Sequence, residues 1–305
     1  MNLADVSTLT EEEARRTLER IRWPSGPVCP HCGSVEATKL EGKAHRAGLY
    51  KCRGCEGQFT ATVGTIMEDS HLPIRTWLLA FSIMCSSKKG VSALQLQRQL
   101  GLGSYRSAWH LAHRIRHAMG KEPLAGLLRG TVEVDETYVG GKPRKGTGRH
   151  KSGRGTAKVP VMALVERNGR VRAHTIAGVD GKTLKDAIRE QVHGTATIMT
   201  DELTSYSGIG DHFEGGHHTV NHSKDEYRRG EAGTNEVEAY FALLKRGIMG
   251  SFHHVSKKHL DRYCDEFSFR WNYRKVSDGL RTVEAIKSGE GRRLMYKDPV
   301  AAKKQ

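Results

Sequence analysis

The sequence predicts an α/β protein built from several domains. Two CxxC motifs near the N-terminus indicate a small module that is held together by a metal ion. Over residues 131–275 the spacing of apolar residues alternates between that of strands and that of helices, and it predicts the order strand, strand, strand, helix, strand, helix. This order is typical of ribonuclease-H-like folds, so we expect such a domain over residues 126–280.

Length and charge limit the possible functions. The chain has 305 residues, and we expect four segments: residues 1–65, 66–125, 126–280 and a basic tail over 281–305. A net charge of +15 favours a polyanionic partner, with nucleic acid as the first candidate and a membrane surface as the alternative. The sequence contains no run of about 20 apolar residues and no signal-peptide pattern. We therefore expect a cytoplasmic, nucleoid-associated protein without a membrane partner.

Four cysteines within the first 65 residues form two pairs. Cys29 and Cys32 make one CxxC motif, and Cys52 and Cys55 make a second. Four thiolates at this spacing are typical of a zinc ribbon, in which a structural Zn²⁺ ion replaces a core too small to form alone. A disulfide framework is the weaker alternative, because nothing in the sequence indicates secretion.

Helices are predicted on both sides of this ribbon. Thr10 and Glu13 form a capping box that begins a helix running to about Trp23, and Pro73 begins another. Two further helical patterns flank residues 101–104, a turn that resembles the turn of a helix-turn-helix. The second of these helices carries Arg106, His110, His113, Arg114, Arg116 and His117. We expect it to contact DNA, in particular through Arg106, His110 and Arg114, and the alternative is a helical hairpin with a solvated basic face.

A second basic segment follows the first strand of the α/β region. Residues 141–158 contain seven Lys or Arg residues and no acid, so they cannot pack a core. We expect this segment to bind a phosphate backbone. The residues predicted to do so are Lys142, Arg144, Lys145, Arg149, Lys151 and Arg154. The alternative is a solvated loop without a specific role.

Two acidic residues lie on or directly after predicted strands. Val132 and Val134 alternate with polar positions, so this segment predicts a strand that presents Asp135 on one face. Asp201 follows the short apolar run of residues 196–199. Ligands of open α/β sheets lie at the carboxyl ends of parallel strands, and neighbouring strands would therefore place Asp135 and Asp201 side by side.

A third acidic residue lies on a predicted helix. Val237, Phe241 and Leu244 recur at helical spacing and mark its buried stripe. Glu238 and Lys245 are seven positions apart, which places them within about 20° of each other around the helix axis. Both side chains can therefore face the same site.

The three carboxylates predict a site for two divalent cations. Mg²⁺ prefers oxygen ligands, and Mg²⁺ or Mn²⁺ at Asp135, Asp201 and Glu238 would activate a water or a 3′-hydroxyl for attack on a phosphodiester. Lys245 would hold a phosphate near these ions as a point charge. The alternative is that each of the acids is an ordinary solvated surface residue.

A set of longer motifs resembles a known family. In chain order they are CPHCG with KCRGC, VEVDETYVGGK, MTDE, VNHSKDEY, TNEVEAYFALLKRGIMGSFHHVSKKHLDRY and DEFSFRWNYR. Together they cover nearly the whole chain, which resembles bacterial insertion-sequence transposases of the DDE type with an N-terminal zinc ribbon, the ISXO2-like group.

This resemblance implies a catalytic triad of Asp135, Asp201 and Glu238, followed by the basic Lys245. Some relatives use Asn as the third polar residue, so Asn235 and Glu236 are the alternatives to Glu238. The family's activity implies binding of terminal inverted repeats, metal-dependent hydrolysis of a phosphodiester and strand transfer into target DNA. It also implies a homo-oligomer on DNA.

Two other functions share parts of this pattern. A DNA-binding regulator would use the ribbon and the helix-turn-helix while its acidic centre is idle. A ribonuclease-H-like nuclease or resolvase would use the acidic centre without strand transfer. The acids and Lys245 argue against the first, and only the reaction products separate the second from a transposase.

Overall fold

The computed structural model describes residues 2–120, 126–141, 158–220, 228–229 and 232–300. Its chain forms two compact units. Unit 1 consists of Met1–Pro123 together with Lys275–Gln305, and unit 2 consists of Leu124–Arg274. Among the residues that the structure describes, no helix is long and apolar enough to cross a membrane.

The helices and strands of these residues are numbered in chain order. The helices are α1 (Leu3–Thr8), α2 (Glu11–Arg22), α3 (Ile74–Ser86), α4 (Ala93–Leu100), α5 (Tyr105–Met119), α6 (Gly181–Gln191), α7 (Asn235–Gly247), α8 (Leu260–Asn272), α9 (Asp278–Lys287) and α10 (Lys297–Val300). The strands are β1 (Ala37–Leu40), β2 (Leu49–Cys52), β3 (Gln58–Phe59), β4 (Thr131–Val139), β5 (Val159–Glu166), β6 (Val171–Thr175), β7 (Thr197–Thr200), β8 (His217–Thr219), β9 (Arg228–Arg229) and β10 (Ala232–Gly233).

Unit 1 begins with α1 and α2 and continues into a small antiparallel sheet, β1-β2-β3. The predicted capping box is confirmed, because the Thr10 hydroxyl accepts from the Glu13 backbone N–H and the Glu13 carboxylate accepts from the Thr10 backbone N–H. The ring of Trp23, directly after α2, packs edge-on against Tyr50 and Phe59 at 5.5 and 5.7 Å. These three buried rings form the apolar core of this small sheet.

Helix α9 completes unit 1, although the sequence analysis assigned residues from 281 onward to a basic tail. It packs against α3, and Arg281 donates a hydrogen bond to the carbonyl of Cys85. Glu290 pairs with Arg22 at 2.9 Å. The segment that follows unit 2 in the chain is therefore part of the same packed unit as the N-terminal helices.

Unit 2 is organised around a five-stranded sheet of order β6-β5-β4-β7-β8. Strands β4, β5 and β6 are antiparallel neighbours, whereas β7 is parallel to β4 and β8 is parallel to β7. Asn168-Gly169 between two alternating runs predicts a hairpin, and the structure confirms it between β5 and β6, with a positive φ of 59° at Asn168. The strand predicted before Asp201 is also present as β7, and β8 begins at His217.

Helices cover this sheet on both faces. Val161, Ala163 and Val165 of β5 pack with α7 and α8 on one face, while Met162 and Leu164 pack with α6 on the other. The side chains of a strand alternate between faces, and Val132 and Val134 of β4 belong to the α6 side. The odd-numbered residues 133 and 135 of β4 consequently point to the α7 side.

Candidate active site and zinc site

The four paired cysteines converge in unit 1. Their Sγ atoms all lie within 4.8 Å of one another, with 3.7 Å between Cys29 and Cys55 and 3.6 Å between Cys32 and Cys52. Tetrahedral thiolates about 2.3 Å from zinc would lie about 3.8 Å apart. Backbone N–H groups of Cys55 and Gly54 lower the pKa of Cys52 to about 6, which favours the thiolate form that binds metal. The four cysteines therefore fit a structural zinc ion.

Asp135 and Asp201 lie at the same level of two neighbouring strands in unit 2. Strands β4 and β7 run parallel with Glu133 opposite Met199. Asp135 and Asp201 each lie two positions further along, so the side-chain period of two places them beside each other on one face. Adjacent strands are about 4.8 Å apart. The strand register thus places Asp135 beside the carboxyl end of β7, which Asp201 directly follows.

Glu238 approaches from α7, which packs over that face. It lies in the first turn of the helix, and its Oε1 accepts a hydrogen bond of 3.2 Å from the Thr234 hydroxyl. Lys245 is exposed in the last turn of the same helix, with Nζ 6.0 Å from the ring centroid of Phe241.

The electrostatics of Asp135 reflect this crowding of negative charge. Burial and, after it, the charges of Glu136, Asp201 and Glu238 raise the pKa of Asp135 to about 8, against a hydrogen bond from the Glu136 backbone N–H that lowers it. The charges of Asp201 and Glu238 therefore both act on Asp135. Carboxylates raise each other's proton affinity because their negative charges repel. A bound cation would relieve this repulsion and stabilise the site.

The alternatives for the third acid lie elsewhere around α7. Glu236 accepts a hydrogen bond of 2.7 Å from the backbone N–H of Asn168, and its other oxygen is 3.9 Å from a guanidinium nitrogen of Arg274. It therefore ties the helix to the β5–β6 turn. Asn235 is the exposed first residue of α7.

Glu133 is an acid that the sequence analysis did not single out. It is only 1% exposed, and it contacts Arg167 and the backbone N–H groups of Glu236 and Val237. One signal in the sequence could have identified it. It lies two positions before Asp135, on the same face of a strand whose other face is apolar.

The basic side chains of α5 lie differently from the expectation. Arg106 is exposed, as predicted, but His113, Arg114 and Arg116 are buried because α5 packs against α3, α4 and α9. Arg114 donates to the carbonyl of Glu68, and burial lowers the pKa of its guanidinium to about 10. The outward orientation expected for these three residues is thus wrong.

His110 also has a partner within unit 1. Its Nε2 lies 3.2 Å from the carbonyl oxygen of Leu294, and it lines a cavity of about 380 Å³ together with Arg114, Trp77 and Tyr296. DNA contact by α5 stays a prediction, with Arg106 as its exposed member. The six basic residues predicted to bind DNA between 142 and 154 lie outside the described residues.

Comparisons with known proteins agree with this architecture. Residues 127–272 match the family model of the ISXO2-like transposase domain, and residues 9–58 match that of the transposase zinc-ribbon domain. The chain is also 27% identical over 291 residues to the uncharacterized protein in transposable element ISH50 of Halobacterium salinarum. That alignment covers 90% of this chain and 96% of the relative.

The two domain matches define the class of protein as a transposase. The chain carries an ISXO2-like transposase domain after a transposase zinc-ribbon domain, and the resemblance seen in its motifs is confirmed.

Proposed function

We propose that this protein is a metal-dependent DDE transposase of an insertion sequence. It binds the terminal inverted repeats, hydrolyses a phosphodiester bond at each end and directs the freed 3′-hydroxyl onto target DNA. The observation that carries the proposal is that Asp201 and Glu238, from β7 and α7, both lie near enough to Asp135 for their charges to raise its pKa.

The strand order supports a ribonuclease-H-like fold for the catalytic domain. In the central part of the sheet, β4 has the antiparallel β5 on one side and the parallel β7 on the other, so Asp135 of β4 and Asp201 after β7 would face one site. Helix α7 then adds an acid from above the sheet. Residues distant in sequence would thus contribute to one site, which is the arrangement that the proposed chemistry needs.

The donor set of this site fits divalent cations. Asp135, Asp201 and Glu238 would hold two Mg²⁺ or Mn²⁺ ions, for which carboxylate oxygens are the preferred protein ligands. Such ions activate the attacking oxygen and stabilise the leaving oxygen of a phosphodiester. Asp135 has to give up its proton when it becomes a ligand, since its raised pKa keeps it largely protonated near neutral pH.

Other residues of the chain serve the substrate. The Thr234 hydroxyl orients the Glu238 carboxylate, and the exposed ammonium of Lys245 is available to a DNA phosphate two turns along α7. The ribbon, the α4–α5 pair and the basic segment of residues 141–158 would bind DNA through phosphate contacts. Two ends have to be joined in one reaction, so we propose a homo-oligomer on DNA.

Cleavage of a labelled transposon-end duplex in Mg²⁺ or Mn²⁺ tests the proposal. The Asp135→Ala variant is expected to lose both cutting and joining while its ribbon still holds zinc. Glu214→Ala is a matched control, because Glu214 is an exposed acid whose backbone N–H donates to the carbonyl of Gly194, beyond the opposite end of β7. Normal cutting by Asp135→Ala would refute the catalytic assignment. Nicked products without joined products would instead identify a nuclease or resolvase.

A further inference from the structure

We propose that Glu133 is the positioning residue of the active site, and that its buried carboxylate sets the separation between Asp135 and Glu238 by joining β4 to the first turn of α7. The inference rests on the proposed function. Glu133 does not itself reach the acidic cluster, by which we mean Asp135, Asp201 and Glu238. It acts through β4 and α7, the elements that carry Asp135 and Glu238.

Each oxygen of the Glu133 carboxylate has its own partners. Oε1 accepts two hydrogen bonds from Arg167, at 3.1 Å from Nε and 3.0 Å from Nη2. Oε2 accepts from the backbone N–H groups of Glu236 at 2.7 Å and Val237 at 3.1 Å. A carboxylate that is 1% exposed is tolerated inside a protein only with such partners.

These backbone N–H groups belong to the second and third residues of α7, which an N-cap side chain usually satisfies. The N-cap residue Thr234 makes no side-chain capping bond, and its hydroxyl donates to Glu238 instead. A carboxylate from β4 therefore replaces the local cap and complements the positive end of the helix dipole. This replacement leaves the Thr234 hydroxyl available to orient the third acid.

The connection between the two acids is short. Asp135 is two positions after Glu133 on the same face of β4, and Glu238 is the residue that follows Val237. The path from Asp135 to Glu238 therefore runs through two residues of β4, the pair of hydrogen bonds from Glu133 to α7, and one or two residues of α7. It is short although Glu133 and Glu236 are 103 residues apart in sequence. A shift of α7 against β4 would therefore move Glu238 away from Asp135.

Arg167 fixes this carboxylate from the side. Its Nη2 also donates to the carbonyl of Gly233, directly before the N-cap of α7, and its backbone N–H donates to the carbonyl of Thr131. The guanidinium thus joins the β5–β6 turn, β4 and the chain entering α7. The same three elements meet at Glu133.

A purely structural ion pair would predict only a loss of stability. A positioning role predicts in addition a loss of cation affinity, since residues that hold metal ligands in place typically change affinity by about 10–100-fold when they are substituted. The Glu133→Gln variant distinguishes a structural role from a positioning role. The glutamine amide oxygen can still accept hydrogen bonds from α7, whereas its NH₂ group would face the N–H donors of Arg167.

The experiment is calorimetric titration of Mn²⁺ into the zinc-loaded full-length protein. Glu133→Gln is expected to bind Mn²⁺ about 10-fold more weakly than the wild type. Arg167→Lys keeps the charge but loses the forked geometry, and a smaller loss is expected. Leu184→Ala is the stability control, because it truncates a buried side chain of α6 on the opposite face of the sheet. Its Mn²⁺ affinity is expected to match that of the wild type.

The outcomes separate this inference from the proposed function. If Asp135→Asn binds Mn²⁺ as the wild type does, or the wild type binds none beyond its zinc site, the proposed function fails and the positioning role fails with it. If Asp135→Asn loses binding while Glu133→Gln and Arg167→Lys bind as tightly as Leu184→Ala, only the positioning role is overturned. The positioning role is supported if Glu133→Gln and Arg167→Lys both bind Mn²⁺ more weakly while Leu184→Ala binds it as tightly as the wild type. Should Glu133→Gln not fold, Arg167→Lys decides the question alone.

Discussion

The hydroxyl of Tyr206 donates a hydrogen bond of 2.7 Å to Oε2 of Glu136. Glu136 faces the α6 side of β4, whereas its neighbour Asp135 faces the α7 side. Burial, followed by the charge of Glu136, raises the pKa of Tyr206 well above its ordinary value, so the phenol remains a donor. The two consecutive carboxylates therefore lie on opposite faces of β4. Asp135 belongs to the acidic cluster, whereas Glu136 is held by the phenol of Tyr206.

We expect Tyr206→Phe to lower the free energy of unfolding by about 1–3 kcal/mol, because Glu136 loses a hydrogen bond to a charged acceptor inside unit 2. Urea denaturation in the presence of a chelator measures this difference. Tyr105→Phe is the control, because the Tyr105 side chain is 52% exposed on α5. The Tyr105→Phe variant should be as stable as the wild type. Equal stabilities of Tyr206→Phe and the wild type would show that the bond contributes nothing.

Asp135 makes the stability of the metal-free protein depend on pH. Its pKa rises from an ordinary 3.8 to about 8 on folding, so the folded state holds a proton that the unfolded state has lost in this interval. The contribution of Asp135 to stability therefore falls as pH rises from about 4 to about 8, by an amount on the order of a few kcal/mol.

Asp135→Asn should remove this dependence, and the variant should be more stable than the wild type at pH 8 when divalent cations are chelated. Urea denaturation of both proteins at pH 5 and pH 8 tests the expectation. A stability difference between them that is the same at the two pH values would contradict the raised pKa.

The zinc site is expected to depend on all four cysteines. Cys32→Ser should release zinc or bind it far more weakly, because a structural site needs four ligands. Cys85→Ala should keep zinc, since Cys85 is a buried residue of α3 outside the ribbon. Zinc content after dialysis measures both. Full retention by Cys32→Ser would mean that another group serves as a ligand.

Zinc affinity should also weaken as pH falls, because protons compete with zinc for the four thiolates. Competition with a chelator over a pH series reports this change. Affinity independent of pH between 5 and 8 would be incompatible with thiolate ligation.

Two arginines of α5 should behave differently on substitution. Arg106→Ala is expected to weaken binding to transposon-end DNA and to reduce the slope of log affinity against log salt by about 1, as for the loss of one phosphate contact. Arg114→Ala should instead reduce stability, because the buried guanidinium lies 5.1 Å from the Trp77 ring and bonds to the carbonyl of Glu68.

Binding titrations at several salt concentrations and thermal unfolding separate the two effects. The assignment of Arg106 to DNA fails if its substitution leaves the affinity unchanged at low salt. The structural account of Arg114 fails if Arg114→Ala melts at the wild-type temperature.

The structure also explains which expectations about α5 went wrong. Helical periodicity and the turn at residues 101–104 correctly predicted two helices, and they depend only on neighbours along the chain. The orientation of His113, Arg114 and Arg116 depends on α3, α4 and α9, which cover α5. Because long basic side chains can bury their stems and find carbonyl partners, their charge alone did not predict exposure.

Local patterns in the sequence determined the cysteine pairs, the hairpin at Asn168, the strand before Asp201, and the helix that carries Glu238. Each of these depends on spacing within a few residues, which the backbone geometry of helices, strands and turns converts directly into structure. Only the tertiary structure decided that Glu133 joins β4 to α7, and that α9 packs with the N-terminal helices. Those contacts link residues about a hundred or more positions apart, and their partners are chosen by the packing of the whole unit.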